Sequence, residues 1–198
     1  MKLRWLVFST ILLLFFAAPL RAQTKFDVFG GYSYFHASVS ETGTLLCPGP
    51  PCPTKTVGAS PNLNGWEGSV AYKFADSAGV VADFGGAYGS LPASLGGGSM
   101  HTNTYLFGPQ VSFPARISPF AHVLLGVAHE SLASGVSGGF AFPGRSGNAF
   151  TMALGGGIDV KVLPAIWARL IQVDYLGSHF PSSLQNQARI SAGVVFHF

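Results

Sequence analysis

Two cysteines, six histidines and eight carboxylates are the side chains of this sequence able to do chemistry. Cys47-Pro-Gly-Pro-Pro-Cys52 is the one cysteine pair. In an oxidising compartment two thiols this close are expected to form a disulfide that pins the surrounding loop. Closing so short a loop stabilises by about 2–3 kcal/mol when unstrained, and the prolines between the cysteines already stiffen it. A metal site at the pair is disfavoured, because no His or further Cys lies at the spacing of a zinc knot.

His36, His101, His129 and His179 fall at the ends of four different segments, and the sequence leaves their mutual distances open. Ordinary rim or loop histidines are the simpler reading, with a rim metal site as the alternative. His129-Glu130 does not begin a zinc-protease helix, since position 133 is Ala where the second His is needed. His129 beside Ser131 is the nearest approach to a nucleophilic pair, and no deacylase motif surrounds it. The runs Gly96-Gly-Gly98 and Gly155-Gly-Gly157 are not phosphate cradles, because no helix follows to aim its N–H groups. The first reads as loop; the second lets strand backbones approach closely.

The elements that must position these groups are strands. In the last nine residues Ile190, Ala192, Val194, Phe196 and Phe198 share one parity, a two-residue period with an apolar face. Seven further segments precede it, at Phe26 to Tyr34, Trp66 to Phe74, Val80 to Tyr88, Asn103 to Phe113, Ala121 to Val127, Phe150 to Val160 and Ile166 to Tyr175. Their lengths suit the 9–11 residues of a tilted membrane strand. Ala121 to Val127 is apolar on both parities, so its phase is open. Charges lie on the parity opposite the rings: Asp27, Glu67, Lys73, Asp83, Asp159, Lys161 and Arg189. Their neighbours there are Gly, Ala, Ser and Thr, as a narrow lumen with inward ion pairs requires. Arg169 breaks the pattern by sharing parity with Trp167 and Tyr175, which suggests a bulge before Asp174.

Connections alternate between short (Ala75 to Gly79, Pro114 to Pro119, Val162 to Pro164) and long (His36 to Leu63, Gly89 to Thr102, His129 to Asn148, Leu176 to Gln187), the latter rich in Gly, Ser and Pro. This is the asymmetry of bacterial outer-membrane barrels. Residues 1–22 read as a signal peptide, with Lys2 and Arg4 before an apolar run and Ala22 before the cut. An uncleaved anchor is the alternative. Removing Lys2, Arg4 and Arg21 leaves eight charges of each sign, so the basic balance of the whole chain is no argument for nucleic acid. Charged residues are 10% of the chain, against about 25% in soluble domains, too few to coat a wet surface. The expected fold is all-β: an eight-stranded antiparallel up-and-down transmembrane β-barrel over residues 23–198. A soluble secreted β-protein is the competing class.

Phe26-Asp-Val-Phe-Gly-Gly-Tyr-Ser-Tyr34, Asn64-Gly-Trp66, Val80-Val-Ala-Asp-Phe84, Tyr105-Leu-Phe-Gly-Pro109, Gly155-Gly-Gly-Ile-Asp159 and Gln172-Val-Asp-Tyr175 resemble the outer-membrane β-barrel-domain family. This is the OmpA/OmpX-like, porin-family group, which includes single-domain acidobacterial proteins. The resemblance implies residence in a Gram-negative outer membrane among lipid and lipopolysaccharide. It also implies delivery by periplasmic chaperones and recognition of Ile190, Ala192, Val194, Phe196 and Phe198 by the barrel-assembly machinery. It carries no peptidoglycan-binding domain into this sequence, since the barrel uses the chain to residue 198. The expectation is a monomer without cofactor, metal or nucleic acid, non-enzymatic, with a structural or surface-interaction role. A narrow solute or ion channel is the alternative, and a lipid A-modifying enzyme a distant third.

Overall fold

Alternation gives each segment one face of bulky apolar groups and one of small or charged groups. A sheet with two such faces loses its unpaired edges only by closing on itself. The computed structural model describes residues 26–49, 51–180 and 183–198, and it shows that closure. The expected signal peptide, residues 1–22, lies outside the described residues. In chain order the strands are β1 (Phe26–Ala37), β2 (Val39–Leu45), β3 (Thr54–Ala59), β4 (Asn62–Ala75), β5 (Ala78–Ser90), β6 (Ser99–Ser112), β7 (Ile117–Leu132), β8 (Gly135–Ser137), β9 (Phe140–Phe142), β10 (Arg145–Lys161), β11 (Ile166–Phe180) and β12 (Ser183–His197).

Eight of them form the closed barrel in the order β1-β12-β11-β10-β7-β6-β5-β4, all neighbours antiparallel. The seam joins β1 to β12 with Val28 opposite Phe196 and Tyr34 opposite Ile190. Beyond it the Phe26 and Phe198 backbones exchange hydrogen bonds of 3.2 and 2.8 Å. Both ends of the barrel chain therefore meet at the end carrying the short connections, here the turn end. The opposite, loop end carries the second sheet, β3-β2-β9-β8.

That second sheet runs through two long connections, His36 to Leu63 and His129 to Asn148, for which the composition predicts loops. Their Gly, Ser and Pro content hides strands that form only by pairing, as Thr44 does with Ala141 and Thr54. Cys47 and Cys52 are disulfide-bonded at the β2–β3 tip, with Cα atoms 6.0 Å apart. Arg145 bonds Glu41 at 2.8 Å, tying the small sheet to the barrel wall.

Two ambiguous strands resolve. In β7 Phe120, His122, Leu124, Ala128 and Glu130 point inward, and Val123, Leu125 and Val127 outward. In β11 the register shifts between Arg169 and Gln172. Leu170 and Ile171 are both exposed outside, so Arg169, Gln172 and Asp174 all face in. The bulge thus turns Trp167 and Arg169 to the lumen side while Tyr175 stays outside.

Outside, the wall is a belt of exposed rings and aliphatic chains, among them Tyr32, Trp66, Phe84, Tyr105, Phe107, Leu125, Phe150 and Leu154. Ile190, Ala192, Val194 and Phe196 of β12 and Phe198 just beyond it, expected to form an assembly signal, lie in this belt, all exposed. Toward the loops the outward side chains become polar. His36 pairs with Asn62 (2.8 Å), and His129 with Asn148 (2.6 Å). An apolar belt this continuous does not face water in a monomeric soluble protein.

Candidate functional site

The lumen is filled, and its contents fall into three layers. At mid-height β12 contributes Arg189, wholly buried, to carboxylates from three other strands. Its Nη1 donates to Asp83 Oδ1 at 2.8 Å, and its Nε and Nη2 to Asp174 Oδ2 at 2.8 and 2.6 Å. Glu67 Oε2 lies 3.3 Å from Nε. Gln172 stitches the cluster, donating from Nε2 to Glu67 Oε1 and Asp174 Oδ2, both at 2.7 Å. His122 Nε2 meets the other Asp174 oxygen at 2.7 Å, and Ser191 bridges Glu67 and Ser33.

Below, toward the turn end, the β11 bulge presents a second guanidinium. Arg169 grips both oxygens of Asp159, at 2.8 and 3.0 Å, and donates to Gln172 Oε1 at 2.6 Å. The Phe29 and Phe120 rings flank it with centroids 4.3 and 4.2 Å from Cζ. A cation held between two aromatic faces and a bidentate carboxylate is well satisfied without water. Above the cluster, toward the loops, the inward side chains turn apolar: Phe35, Leu63, Met100, Leu132 and Leu176 pack with Val39, Leu95 and Phe142 from the connections. The second sheet thereby lids the barrel.

Small residues leave the room these groups need. An added Cβ at Gly85 would stand 2.8 Å from Thr104 Oγ1 and 3.3 Å from Arg189 Nη1, and at Gly155 it would strike the Asp174 carboxylate. Gly155→Val is therefore expected to lower the urea midpoint of the refolded barrel, by about 1–3 kcal/mol of overpacking or more. Gly147→Val, where nothing lies near, serves as control. Equal midpoints for the two variants would show that Asp174 has slack the geometry denies.

The sequence-chosen charges separate by depth. Glu67, Asp83 and Arg189 share the central cluster, while Asp159 belongs with Arg169. Asp27 lies at the turn-end mouth, bonded to Lys73 (2.7 Å) and His197. Lys161 stands exposed at that mouth, not in the closed lumen, its Nζ 6.0 Å from the Trp167 ring centroid. Arg169, Gln172, His122 and Glu130 are inner polar residues that parity alone did not find. His36, His101, His129 and His179 sit on four different strands. Among the described residues no group of three or more His, Cys, Asp or Glu side chains is arranged to hold a metal ion.

Chemically the central cluster spends its donors and acceptors on itself. A cavity of about 700 Å³ opens at the turn end, between Asp27, Lys73, Arg116, Lys161 and Trp167.

No protein-family model matches the sequence, and no curated protein does. Solved structures match over nearly the whole barrel. Ail, the attachment invasion locus protein of Yersinia pestis, in complex with the heparin analogue sucrose octasulfate, aligns with TM-score 0.53 at 18% identity. The match covers 87% of this chain and 99% of that one. Neisserial surface protein A gives 0.55 at 13% identity, over 86% and 97% of the two chains. The outer membrane protein OprG of Pseudomonas aeruginosa gives 0.54 at 13%, over 88% and 96%. The fold is that of the outer-membrane β-barrels.

Proposed function

We propose that this outer-membrane-type barrel is a monomeric, non-enzymatic membrane protein whose business is at its loop end, in a structural or surface-interaction role. The observation that carries the reading is the filled lumen. Passage from the mouth would meet Arg169 between its rings, then the Arg189 cluster, then an apolar plug under a folded lid. Eight strands enclose a space that side chains can fill, and here they do. The outward belt suits lipid, and the His–Asn rim above it suits lipopolysaccharide headgroups. Residues 1–22 direct export, and chaperones with the barrel-assembly machinery receive the β12 face of Ile190, Ala192, Val194, Phe196 and Phe198.

Polarity follows from connection length, with short turns in the periplasm and the lid outside. Ail has been solved in complex with the heparin analogue sucrose octasulfate. In this chain the described cations of the lid region are Lys55 and Arg145, and Arg145 is engaged by Glu41 and Glu130. Recognition at this lid therefore rests on neutral groups and on the exposed Leu46 and Val136 rather than on a basic patch.

The test combines topology with conductance. Ser137→Cys is expected to react with a membrane-impermeant maleimide on intact cells, and Ser77→Cys only after the outer membrane is breached. Purified protein in planar bilayers is expected to pass no steady current, and its expression to leave lipid A mass unchanged. Steady conductance would replace this reading with the channel, and a lipid A mass shift with the enzyme.

A further inference from the structure

The turn-end mouth holds charge that is unevenly satisfied around its circumference. On the β12–β1–β4 side Asp27 is shared between Lys73 and His197. On the β10–β7–β6 side stand two exposed cations, Arg116 in the β6–β7 turn and Lys161 at the end of β10. One hydrogen bond beyond the β7–β10 ladder makes their backbones neighbours, the Lys161 amide donating to the Arg116 carbonyl at 2.9 Å. Among the described residues neither has a carboxylate within ion-pair distance. Asp159 lies on the same face of β10 as Lys161, but Arg169 engages both its oxygens. Lys161 leans instead toward the Trp167 ring, whose other neighbour is His197, with ring centroids 4.7 Å apart.

Two like charges on neighbouring backbones, both lining one polar cavity, repel unless an anion lies between them. A guanidinium fork beside an ammonium is the donor set that oxyanions select, the first bidentate and the second a point charge. The indole offers a flat wall on which the body of a ligand can rest. Gln110 and Ser112 on β6 add neutral polar side chains to the cavity wall, and Asp76 in the β4–β5 turn adds a carboxylate on the side away from the two cations. The space, about 700 Å³, matches small-molecule sites of roughly 300–1,000 Å³.

We propose that the turn-end mouth binds a small oxyanion-bearing compound, a carboxylate or a phosphate, gripped by Arg116 and Lys161 against Trp167. The lumen above is sealed, so the mouth works as a receptor cup and not as the entrance to a pore. This goes beyond the loop-end role and stands or falls independently of it, since the probe is read at the opposite end of the barrel.

The experiment is a titration of nitrogen-15-labelled barrel, folded in neutral detergent, with pyrophosphate, with citrate, and with choline as cationic control. The indole N–H of Trp167, assigned by its loss in Trp167→Phe, is expected to shift saturably, while that of the outward Trp66 stays still. A shift with pyrophosphate alone identifies a phosphate ligand and a shift with citrate alone a carboxylate; either supports the proposal. Arg116→Gln with Lys161→Gln is expected to weaken binding about tenfold or more, a loss of about 1.4 kcal/mol per factor of ten. Both positions are exposed, so the variants should keep the heat-modifiable band of a folded barrel. Should the double variant not fold, Lys161→Gln alone carries the comparison. No saturable shift with either anion, an equal shift with choline, or undiminished affinity in the Gln variants would overturn it.

Discussion

Replacing Arg189 by Met is expected to destabilise the folded barrel by about 3–5 kcal/mol, the cost of leaving buried charge without its partner. Met occupies much of the same volume, so the loss is electrostatic before it is one of packing. Without the guanidinium, Glu67, Asp83 and Asp174 face one another from three strands, with Gln172, Ser191 and His122 as their remaining partners. Urea titration of the refolded protein, read by the shift between folded and boiled mobility, measures the effect. Adding Asp174→Asn to Arg189→Met removes one of the stranded charges. The pair should then be non-additive by about 0.5–3 kcal/mol in the recovering direction. A parental midpoint in Arg189→Met would mean that the cluster contributes nothing to holding the wall closed.

Leu125→Arg should cost about 2–4 kcal/mol in a bilayer, the depth-dependent penalty for a cation on the lipid face. Leu125 sits midway along β7, 47% exposed, between Phe107 on β6 and Met152 on β10. On a water-facing surface the same exchange stays within about 0.5 kcal/mol. The contrast decides what the belt touches. Folding into phospholipid vesicles, with Ser137→Arg at the loop end as the neutral control, gives the two numbers side by side. Equal stabilities for Leu125→Arg and the control would place water against the rings, and the membrane reading would fail with them.

These two residues also mark what a reader of the sequence can and cannot see. Arg189 is legible, because Ile190, Ala192, Val194, Phe196 and Phe198 fix the parity of β12 and leave a cation on the other side. Leu125 is not, because both faces of β7 are apolar. Its inner residues Phe120, Leu124 and Ala128 fill a narrow lumen, and nothing in their chemistry separates them from lipid-facing neighbours. His122 is hidden by the same ambiguity. Arg169 is concealed differently: the extra residue at Leu170 and Ile171 inverts the count, so parity carried from Tyr175 puts the guanidinium in lipid. The bulge is inferable from the cost of that placement, but its position is not. The lid is least legible, since β8 and β9 are three residues each and exist through their partners. The eight-strand count and the turn–loop asymmetry need none of this, which is why they are readable directly.

The seam between β1 and β12 has a consequence in time. Ser33 and Ser191 touch across it although 158 residues separate them in the chain. No ring can close until the final strand has been made. Until then β1 and each newly added strand present raw edges, the surfaces on which sheets recruit strangers. Long-range pairing of this kind is slow, because the entropy of joining distant segments is lost before any contact repays it. A chain built this way cannot cover its first edge until its last residues are in place.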